Sequence, residues 1–194
     1  MRTALRLDTA SPPMDDSQLA SRARTDADAF AELYRRHVTR VYRYHMVHTG
    51  SVKDAEDLTS QTFMAALEGI RSYRAAGSFA AWIMGIAMRK RLMFFRSRGR
   101  LDLPLDTALA VPDPGTPTDD AALRRLRLDQ IHDALRSLDA DRQEAIALCF
   151  FAGLDYCEAA RILGRSEAAF KMLLSRGLSD LRTRTSLALE VQND

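Results

Sequence analysis

Three carboxylates and an amide share one face of a predicted helix, a set of groups that could bind a cation or another protein. The helical period of residues 53–63, "KDAEDLTSQTF", buries the apolar positions and leaves outside Asp54, Glu56, Asp57 and Gln61. The acids stand at i, i+2 and i+3, so they do not converge on one metal ion, and no histidine accompanies them. We therefore predict a protein-docking face or a solvated helix face, and no catalytic or metal site.

A basic segment with aromatic residues follows later in the same half of the chain. Residues 84–100 contain six cations and no acid, whereas residues 101–122 contain five aspartates and no cation. This separation indicates an anionic partner for the first segment. Cations neutralise phosphates, and Phe94 and Phe95 could stack on unpaired bases, which favours a nucleic-acid strand. The alternative is a solvated basic helix end whose phenylalanines belong to the core.

Residues 156–177, "YCEAARILGRSEAAFKMLLSRG", have the spacing of a helix-turn-helix. Gly164 tolerates the left-handed backbone that ends a helix, and the Ser166 hydroxyl can cap the next one. The apolar positions of the second helix face inward, so its other face could enter a DNA groove. The predicted DNA contacts there are Arg165, Ser166, Glu167, Lys171, Met172, Ser175 and Arg176. A plain helical hairpin is the alternative for this segment taken alone.

The elements that position these groups are all helical, because apolar residues recur with helical period and no segment alternates like a strand. We predict an all-α protein of two small helical domains, residues 26–100 and 123–188, the second containing the helix-turn-helix. Residues 101–122 form a Pro/Asp-rich linker, since four prolines there disfavour helix. Residues 1–25 are predicted to be a disordered N-terminal segment.

Cellular location and cofactors follow from what the 194-residue sequence lacks. No run approaches 18 uninterrupted apolar residues, and the N-terminus has neither the apolar block nor the cleavage site of a secretory signal. We expect a cytoplasmic protein without membrane insertion. The cysteines and histidines make no metal-ligand spacing, so we expect neither a metal nor another cofactor.

Five segments in register resemble the bacterial RNA polymerase sigma factors of the extracytoplasmic-function (ECF) type, within the sigma-70 family. They are "DAFAELYRRHVTRVYRY", "DAEDLTSQTFMAAL", "GSFAAWIMGIA", "LRSLDADRQEAIALCFFAGLDYCEAARILG" and "KMLLSRGLSDLR". The resemblance extends over nearly all of residues 28–182. Each motif alone is moderately specific, and their common order makes the match strong.

The resemblance implies partners and a division of labour. The acidic helix would dock on core RNA polymerase through Asp54, Glu56, Asp57 and Gln61. The helix-turn-helix would bind the minus-thirty-five promoter element as duplex, and the third helix with its preceding loop would bind and open the minus-ten element. The minus-ten contacts would be Arg71, Tyr73, Arg74, Ser78, Trp82, Arg89, Lys90 and Arg96. Members of the family are commonly inhibited by an anti-sigma factor, so such a partner is also implied.

The sequence departs from the family at the recognition helix. Met172 and Leu173 stand where relatives often carry a small polar residue and a cation. This predicts fewer hydrogen bonds to DNA and apolar contact with thymine methyls. Two alternatives to a sigma factor remain in the binding class, a stand-alone helix-turn-helix regulator and a degenerate sigma-like protein that binds polymerase. We expect no enzyme, because the sequence offers no metal or nucleophile constellation.

Overall fold

The computed structural model describes residues 14–99 and 132–191, with side chains as far as residue 183. Its helices are α1 (Asp16–Arg22), α2 (Ala27–Thr49), α3 (Val52–Gly69), α4 (Phe79–Gly99), α5 (Ala140–Ile146), α6 (Tyr156–Ile162) and α7 (Glu167–Val191). A 3-10 turn (Ile70–Ser72) follows α3, and a π-helical turn (Ala147–Phe151) continues α5. Residues 132–136 are also helical. No strand occurs in the described residues, and the predicted all-α class is confirmed.

The prediction that residues 1–25 are disordered is wrong for the part that forms helix α1. Helix α1 lies within residues 1–25, and a capping box begins it: Gln18 N donates to the Asp15 carboxylate, and the Gln18 side chain accepts from Asp15 N. Leu19 and Ala20 are buried against the first domain. Two buried side chains and a capped first turn are enough to fix a short helix on an existing core. Residues 1–13 lie outside the described residues.

Helices α2, α3 and α4 form the body of the first domain. The α2–α3 corner follows local chemistry, since Gly50 has φ 63° and Ser51 caps α3 by accepting from Asp54 N. Ser78 caps α4 in the same way, accepting from Ala81 N at 3.0 Å. The three helices pack on one another around a core that includes Leu33 and Ile83, both fully buried.

Helices α5, α6 and α7 form the second domain, in which α6 and α7 make the predicted helix-turn-helix. Gly164, between them, has φ 63°, the left-handed geometry that favours glycine. Phe170 and Leu174 on α7 are buried, while Leu173 lies at the edge of the core. The inward face predicted for the recognition helix is therefore confirmed.

The two domains are in contact with each other. Helix α2 packs on the π-helical turn after α5, and α4 packs on α6. A buried carboxylate of the second domain, Glu144, lies among polar groups of the first. The predicted linker, residues 101–122, lies outside the described residues. None of the described helices is both long and apolar enough to cross a membrane.

Candidate nucleic-acid interface

The predicted docking face on α3 is mostly open to solvent. Glu56, Asp57 and Gln61 are exposed, whereas Asp54 is half-buried and its Oδ2 lies 2.9 Å from Arg98 Nη1 of α4. Of the four predicted side chains, three are thus free to meet a partner and Asp54 is held within the chain. The sequence prediction placed Asp54 outside because helical period does not reveal a cation from another helix.

Exposed apolar groups, which were not predicted from the sequence, extend the acidic face. Met64, 63% exposed, stands seven residues after Asp57 and so lies on the same side of α3. Leu67, 51% exposed, lies one turn further along. The sequence did contain a signal for this, because the spacing of Asp57, Gln61 and Met64 places all three on one face of a helix. Carboxylates beside a flexible apolar side chain form a surface suited to a protein partner.

The loop before α4 is organised by Tyr73, which corrects its predicted role. Its side chain is only 5% exposed, so the ring is not presented to DNA. The Tyr73 hydroxyl donates to Gly77 O at 3.0 Å, and Arg24 Nη2 donates to Tyr73 O at 2.9 Å. Tyr73 therefore holds both ends of the loop, and Arg71 and Arg74 project from it as exposed side chains.

The same loop contains a strained residue. Ala75 has φ 52°, the left-handed region in which a Cβ costs roughly 1–2 kcal/mol. Residues 74–78 are all exposed, so this strained loop faces solvent. Strain of this kind persists only where surrounding contacts impose it, and here the Tyr73 hydrogen bonds do so.

Trp82 and Ser78 lie at the start of α4. The half-buried Trp82 ring packs against Tyr73 and Phe79, at centroid distances of 5.3 and 5.4 Å. Part of the indole remains accessible for stacking, and its orientation is set by the two other rings. Ser78 is exposed, and its hydroxyl already accepts the capping hydrogen bond from Ala81 N. A nucleic-acid contact by Ser78 would use its remaining donor hydrogen.

The cations of α4 divide into two groups. Arg89 and Arg96 are exposed and Lys90 is half-buried, and no ion pair joins them to another described residue. Arg98 instead pairs with Asp54 and lies 4.6 Å from the Phe94 ring centroid. Arg91 turns toward the second domain, where its Nη2 lies 2.7 Å from Glu144 Oε2. On α4, the cations without an ion pair in the described structure are therefore the three predicted minus-ten contacts, Arg89, Lys90 and Arg96.

The outward face of α7 carries cations that are partly neutralised within the chain. Arg165 Nη2 lies 2.8 Å from Asp141 Oδ2, and Lys171 Nζ lies 2.6 Å from Glu167 Oε1, which raises the pKa of Lys171. All four side chains are about half exposed. These pairs orient the two cations beside the helix N-terminus and can exchange for phosphate or base contacts.

The remaining predicted contacts on α7 are also accessible. Ser175 and Arg176 are exposed, and Met172 is 53% exposed, as the sequence predicted. Ser166 Oγ accepts from Ala169 N at 3.2 Å, so the cap and the DNA contact would use the same hydroxyl. A shallow cavity of about 270 Å³ beside Met172 is lined by Arg165, Ala169, Leu173, Arg176 and Asp141.

Two family models match the chain, and they match the two domains separately. Sigma-70 region 2 matches residues 33–101, and sigma-70 region 4 matches residues 128–181. The chain is 32% identical over 159 residues to the RNA polymerase sigma factor CarQ of Myxococcus xanthus, across 80% of this chain and 88% of CarQ. The chain belongs to the sigma-70 family.

Other sigma-70 relatives are of the ECF type. The chain is 36% identical over 167 residues to the ECF RNA polymerase sigma factor BldN of Streptomyces coelicolor, across 84% of this chain. It spans only 63% of BldN, and 59% of SigE of Mycolicibacterium smegmatis, which is another ECF sigma factor. With these relatives, the chain is placed in the ECF group of the sigma-70 family.

Solved sigma-factor structures share this sigma-70 fold. CnrH, solved in complex with the cytosolic domain of CnrY, superposes with a TM-score of 0.67 at 23% identity, across 89% of this chain and 97% of CnrH. RpoE of Bartonella quintana, solved in complex with the anti-sigma factor NepR, has a TM-score of 0.62 at 23% identity, across 79% of this chain and 94% of RpoE. These matches support the two-domain helical fold.

A buried polar cluster lies between the two domains of this sigma-70 chain and was not predicted from its sequence. Glu144, Tyr44 and Arg91 are joined by hydrogen bonds, and His48 lies beside them. A signal was present, since Glu144 is an acid one turn before the apolar pair Ala147 and Leu148 and therefore lies on their buried face. Its partners are distant in sequence, so no local pattern indicates them.

Proposed function

We propose that this chain is a promoter-specificity subunit of bacterial RNA polymerase, which directs the core enzyme to promoters and initiates transcription. The first domain would dock on the polymerase and bind the minus-ten element, and the second would bind the minus-thirty-five element. The observation that carries the proposal is the coexistence of three exposed surfaces on one sigma-70 chain: the α3 acidic face, the α4 segment with its loop, and the α7 recognition face.

The first domain offers groups suited to a melted DNA strand. Unstacking a base costs a few kcal/mol per step, so a protein opens DNA only by binding the separated strand more tightly than the duplex. The exposed loop around Ala75 could receive an unstacked base, with the oriented indole of Trp82 beside it. Unpaired cations on α4 would neutralise the phosphates of that strand. Opening would thus be a binding step without chemical catalysis by this chain.

The second domain offers a surface suited to duplex DNA. The N-terminal part of α7 would enter the major groove, with Arg165, Lys171 and Arg176 near phosphates and base edges. The proposed functional bounds are residues 26–100 for the first domain and 123–188 for the second, joined by residues 101–122. Activity on promoter DNA would place the protein in the cytoplasm. An anti-sigma partner is proposed by analogy with RpoE, which was solved bound to NepR.

A stand-alone regulator is the weaker proposal. Such a protein needs only a helix-turn-helix, whereas both sigma-70 regions match here and the α3 face would then have no partner. A degenerate sigma-like protein would keep that face and lose promoter opening. A stand-alone regulator would therefore leave the α3 face without a function, and a degenerate sigma-like protein would leave the promoter-opening surface without one.

Transcription with purified core RNA polymerase on a promoter library tests the proposal. We expect a subset of promoters to gain initiation only when this protein is added. A stand-alone regulator would bind duplex DNA without polymerase and support no initiation. A degenerate relative would bind core polymerase and initiate nowhere. Either result would reject the proposed function.

Single substitutions assign the surfaces. We expect Asp57→Ala to weaken polymerase binding and leave DNA binding intact, because Asp57 is exposed on α3. Lys171→Ala or Arg176→Ala should weaken duplex binding about three- to tenfold and lower its salt dependence by about one counterion. Asp28→Ala removes an exposed carboxylate of α2, away from the α3 face, and serves as the charge-matched control for Asp57. Equal losses in both assays from every variant would indicate misfolding and reject the assignment.

A further inference from the structure

A carboxylate of the second domain is buried in a polar cluster of the first. Glu144 of α5 is 4% exposed. Tyr44 Oη of α2 donates to Glu144 Oε1 at 2.6 Å, and Arg91 Nη2 of α4 lies 2.7 Å from Glu144 Oε2. Both carboxylate oxygens are therefore engaged by helices of the other domain.

The partners of Glu144 are also joined to one another. Arg91 Nε donates to Tyr44 Oη at 3.1 Å, and Arg91 Nη1 lies 3.5 Å from His48 Nδ1. Since an arginine always donates, His48 Nδ1 accepts and its proton resides on Nε2. His48 Nε2 lies 3.3 Å from Glu144 Oε2 without a well-directed hydrogen bond. Burial, with a smaller effect from the Arg91 charge, holds the pKa of His48 well below its usual value, so the ring is neutral.

A second set of contacts ties the domains beside this cluster. His132 Nδ1 lies 3.0 Å from Val47 O at the end of α2, where it can donate a hydrogen bond. A Cβ added to Gly50 would lie 2.7 Å from His132 Nε2, so the imidazole sits against a corner that only glycine leaves open. The contact between the domains is close-packed as well as polar.

The contact places the helix-turn-helix beside the loop proposed to bind the minus-ten element. Helix α6 packs on α4, and a Cβ added to Gly77 would lie 3.1 Å from Arg161 Nη1 of α6. In this arrangement the first helix of the DNA-binding pair occupies space next to the strained loop. Promoter elements nearly two helical turns apart, at about 34–36 Å per turn, require the two domains to be separated.

We propose that Glu144, with Tyr44, Arg91 and His48, forms an interdomain latch that holds the free protein in a closed arrangement unable to bind both promoter elements at once. This inference rests on the proposed function for its consequence, though not for the closure itself. Interfaces between domains of one chain are usually mobile, and a buried, fully paired carboxylate makes this one specific. Opening would return Glu144 to water and release Arg91 to the basic face of α4.

Closure of the latch should depend strongly on the negative charge of Glu144. A lysine in place of Glu144 would put a second cation against Arg91 in a buried site, which disfavours closure strongly. The second domain keeps its own core, because Glu144 faces the first domain. Asp180→Lys is the charge-matched control, since Asp180 on α7 pairs with Arg142 inside the second domain.

Small-angle X-ray scattering on the full chain, without DNA or polymerase, tests the closure. A compact chain of this length has a radius of gyration of about 16 Å, and separation of the domains would raise it to about 20 Å or more. We expect wild type and Asp180→Lys to be compact and Glu144→Lys to be extended, with unchanged helical circular dichroism. The charge-swapped pair Arg91→Glu with Glu144→Arg should restore compaction. Identical scattering from wild type and Glu144→Lys, or an extended wild type, would overturn the latch.

Binding to a duplex that carries both elements of a promoter found in the transcription assay tests the consequence. We expect Glu144→Lys to bind about tenfold more tightly than Asp180→Lys, which carries the same charge change. Equal binding by the two variants, with Glu144→Lys extended in scattering, would overturn the inhibitory role of the latch. Absence of initiation from every promoter in the transcription assay would instead reject the proposed function, while the scattering result would still decide closure.

Discussion

The two proposed DNA-binding surfaces differ in how many of their cations are held in ion pairs. On α4, Arg89, Lys90 and Arg96 make no ion pair with another described residue. On the recognition face, Arg165 in the turn before α7 is paired with Asp141, and Lys171 is paired with Glu167. Arg176 makes no ion pair with another described residue. Unpaired cations maximise counterion release on any phosphate strand, whereas paired cations are pre-oriented and gain less from each new phosphate. The difference suits a flexible melted strand on α4 and a duplex of fixed geometry on α7.

The interiors of the two domains differ as well. The first domain buries His37, His45 and His48, whereas the histidine described beside the second domain, His132, is half-buried. Burial lowers the pKa of His45 to about 3, and the charge of Arg91 contributes less. Burial is also the main cause of the lowered pKa values of His37 and His48. The first domain is therefore the acid-sensitive one.

Acid unfolding should show the largest difference between the domains. A histidine that is neutral when folded contributes full stability above its unfolded pKa of about 6.5, and this stability is lost as the pH falls toward its folded pKa. For His45 alone the loss by pH 5 is about 2 kcal/mol. Trp82, the one tryptophan, lies in the first domain, so its fluorescence should report unfolding at higher pH than circular dichroism of the whole chain.

A non-titrating variant checks the cause of that acid sensitivity. His45→Gln can still hydrogen bond to Thr62, whose Oγ1 lies 3.0 Å from His45 Nε2, and it cannot gain a proton. We expect its thermal midpoint to fall less steeply than that of wild type between pH 7 and pH 5. Parallel curves would show that other groups control the acid response.

Removal of the unpaired α4 cations should give the next largest effect. We expect Arg89→Ala, Lys90→Ala and Arg96→Ala together to weaken binding to a single-stranded oligonucleotide by about 10- to 100-fold and to lower the salt slope by about 2. Alanines at Arg40, Arg43 and Lys53, cations of the first domain that likewise make no ion pair with another described residue, provide a charge-matched control. If the control loses as much, net charge and not the α4 surface governs binding.

Met172 should contribute a smaller, sequence-dependent part of duplex binding. Its exposed thioether suits the 5-methyl group of thymine, and burying one methyl is worth about 0.8 kcal/mol, or roughly fourfold in affinity. Replacement of single thymines by uracil in a bound duplex should therefore weaken wild type at one or two positions and leave Met172→Ala unaffected. Leu178→Ala, on the same helix, should behave as wild type. Uniform insensitivity of wild type to uracil would contradict this role.

The pairing of Arg165 with Asp141 should have the smallest effect. Exposed ion pairs contribute about 0.2–1 kcal/mol, so Asp141→Ala should release Arg165 and raise duplex affinity about twofold at low salt. Glu32→Ala releases Arg35 in the first domain and is the charge-matched control. An equal gain in the control would mean that the pairing on α7 does not restrain binding, and the contrast between the two surfaces would fail.

Local chemistry made the helices and the helix-turn-helix predictable. Gly50 and Gly164 end helices in the left-handed region, and Ser51 and Ser78 cap the helices that follow. The inward face of α7 followed from helical period alone. Helix α1 was missed because its short apolar segment becomes stable only on a core that residues far along the chain supply.

Tertiary structure decided which of the predicted site residues are available. Tyr73 is buried against Phe79 and Trp82 of α4, and its hydroxyl donates to Gly77 O. Asp54 is paired with Arg98, 44 residues away, and Tyr44 is hydrogen bonded to Glu144, 100 residues away. Helical period identifies the face on which a side chain lies, whereas the partner on that face depends on how separate helices pack.

The sequence by itself determined the helical elements other than α1, the two sigma-70 regions and the chemistry of each surface, because caps, period and charge act over a few residues. Only the tertiary structure decided that the domains meet through a buried carboxylate and that the cations of α4 and α7 differ in their pairing. Those contacts join residues that no local interaction relates, and their energies depend on burial, which exists only once the chain has folded.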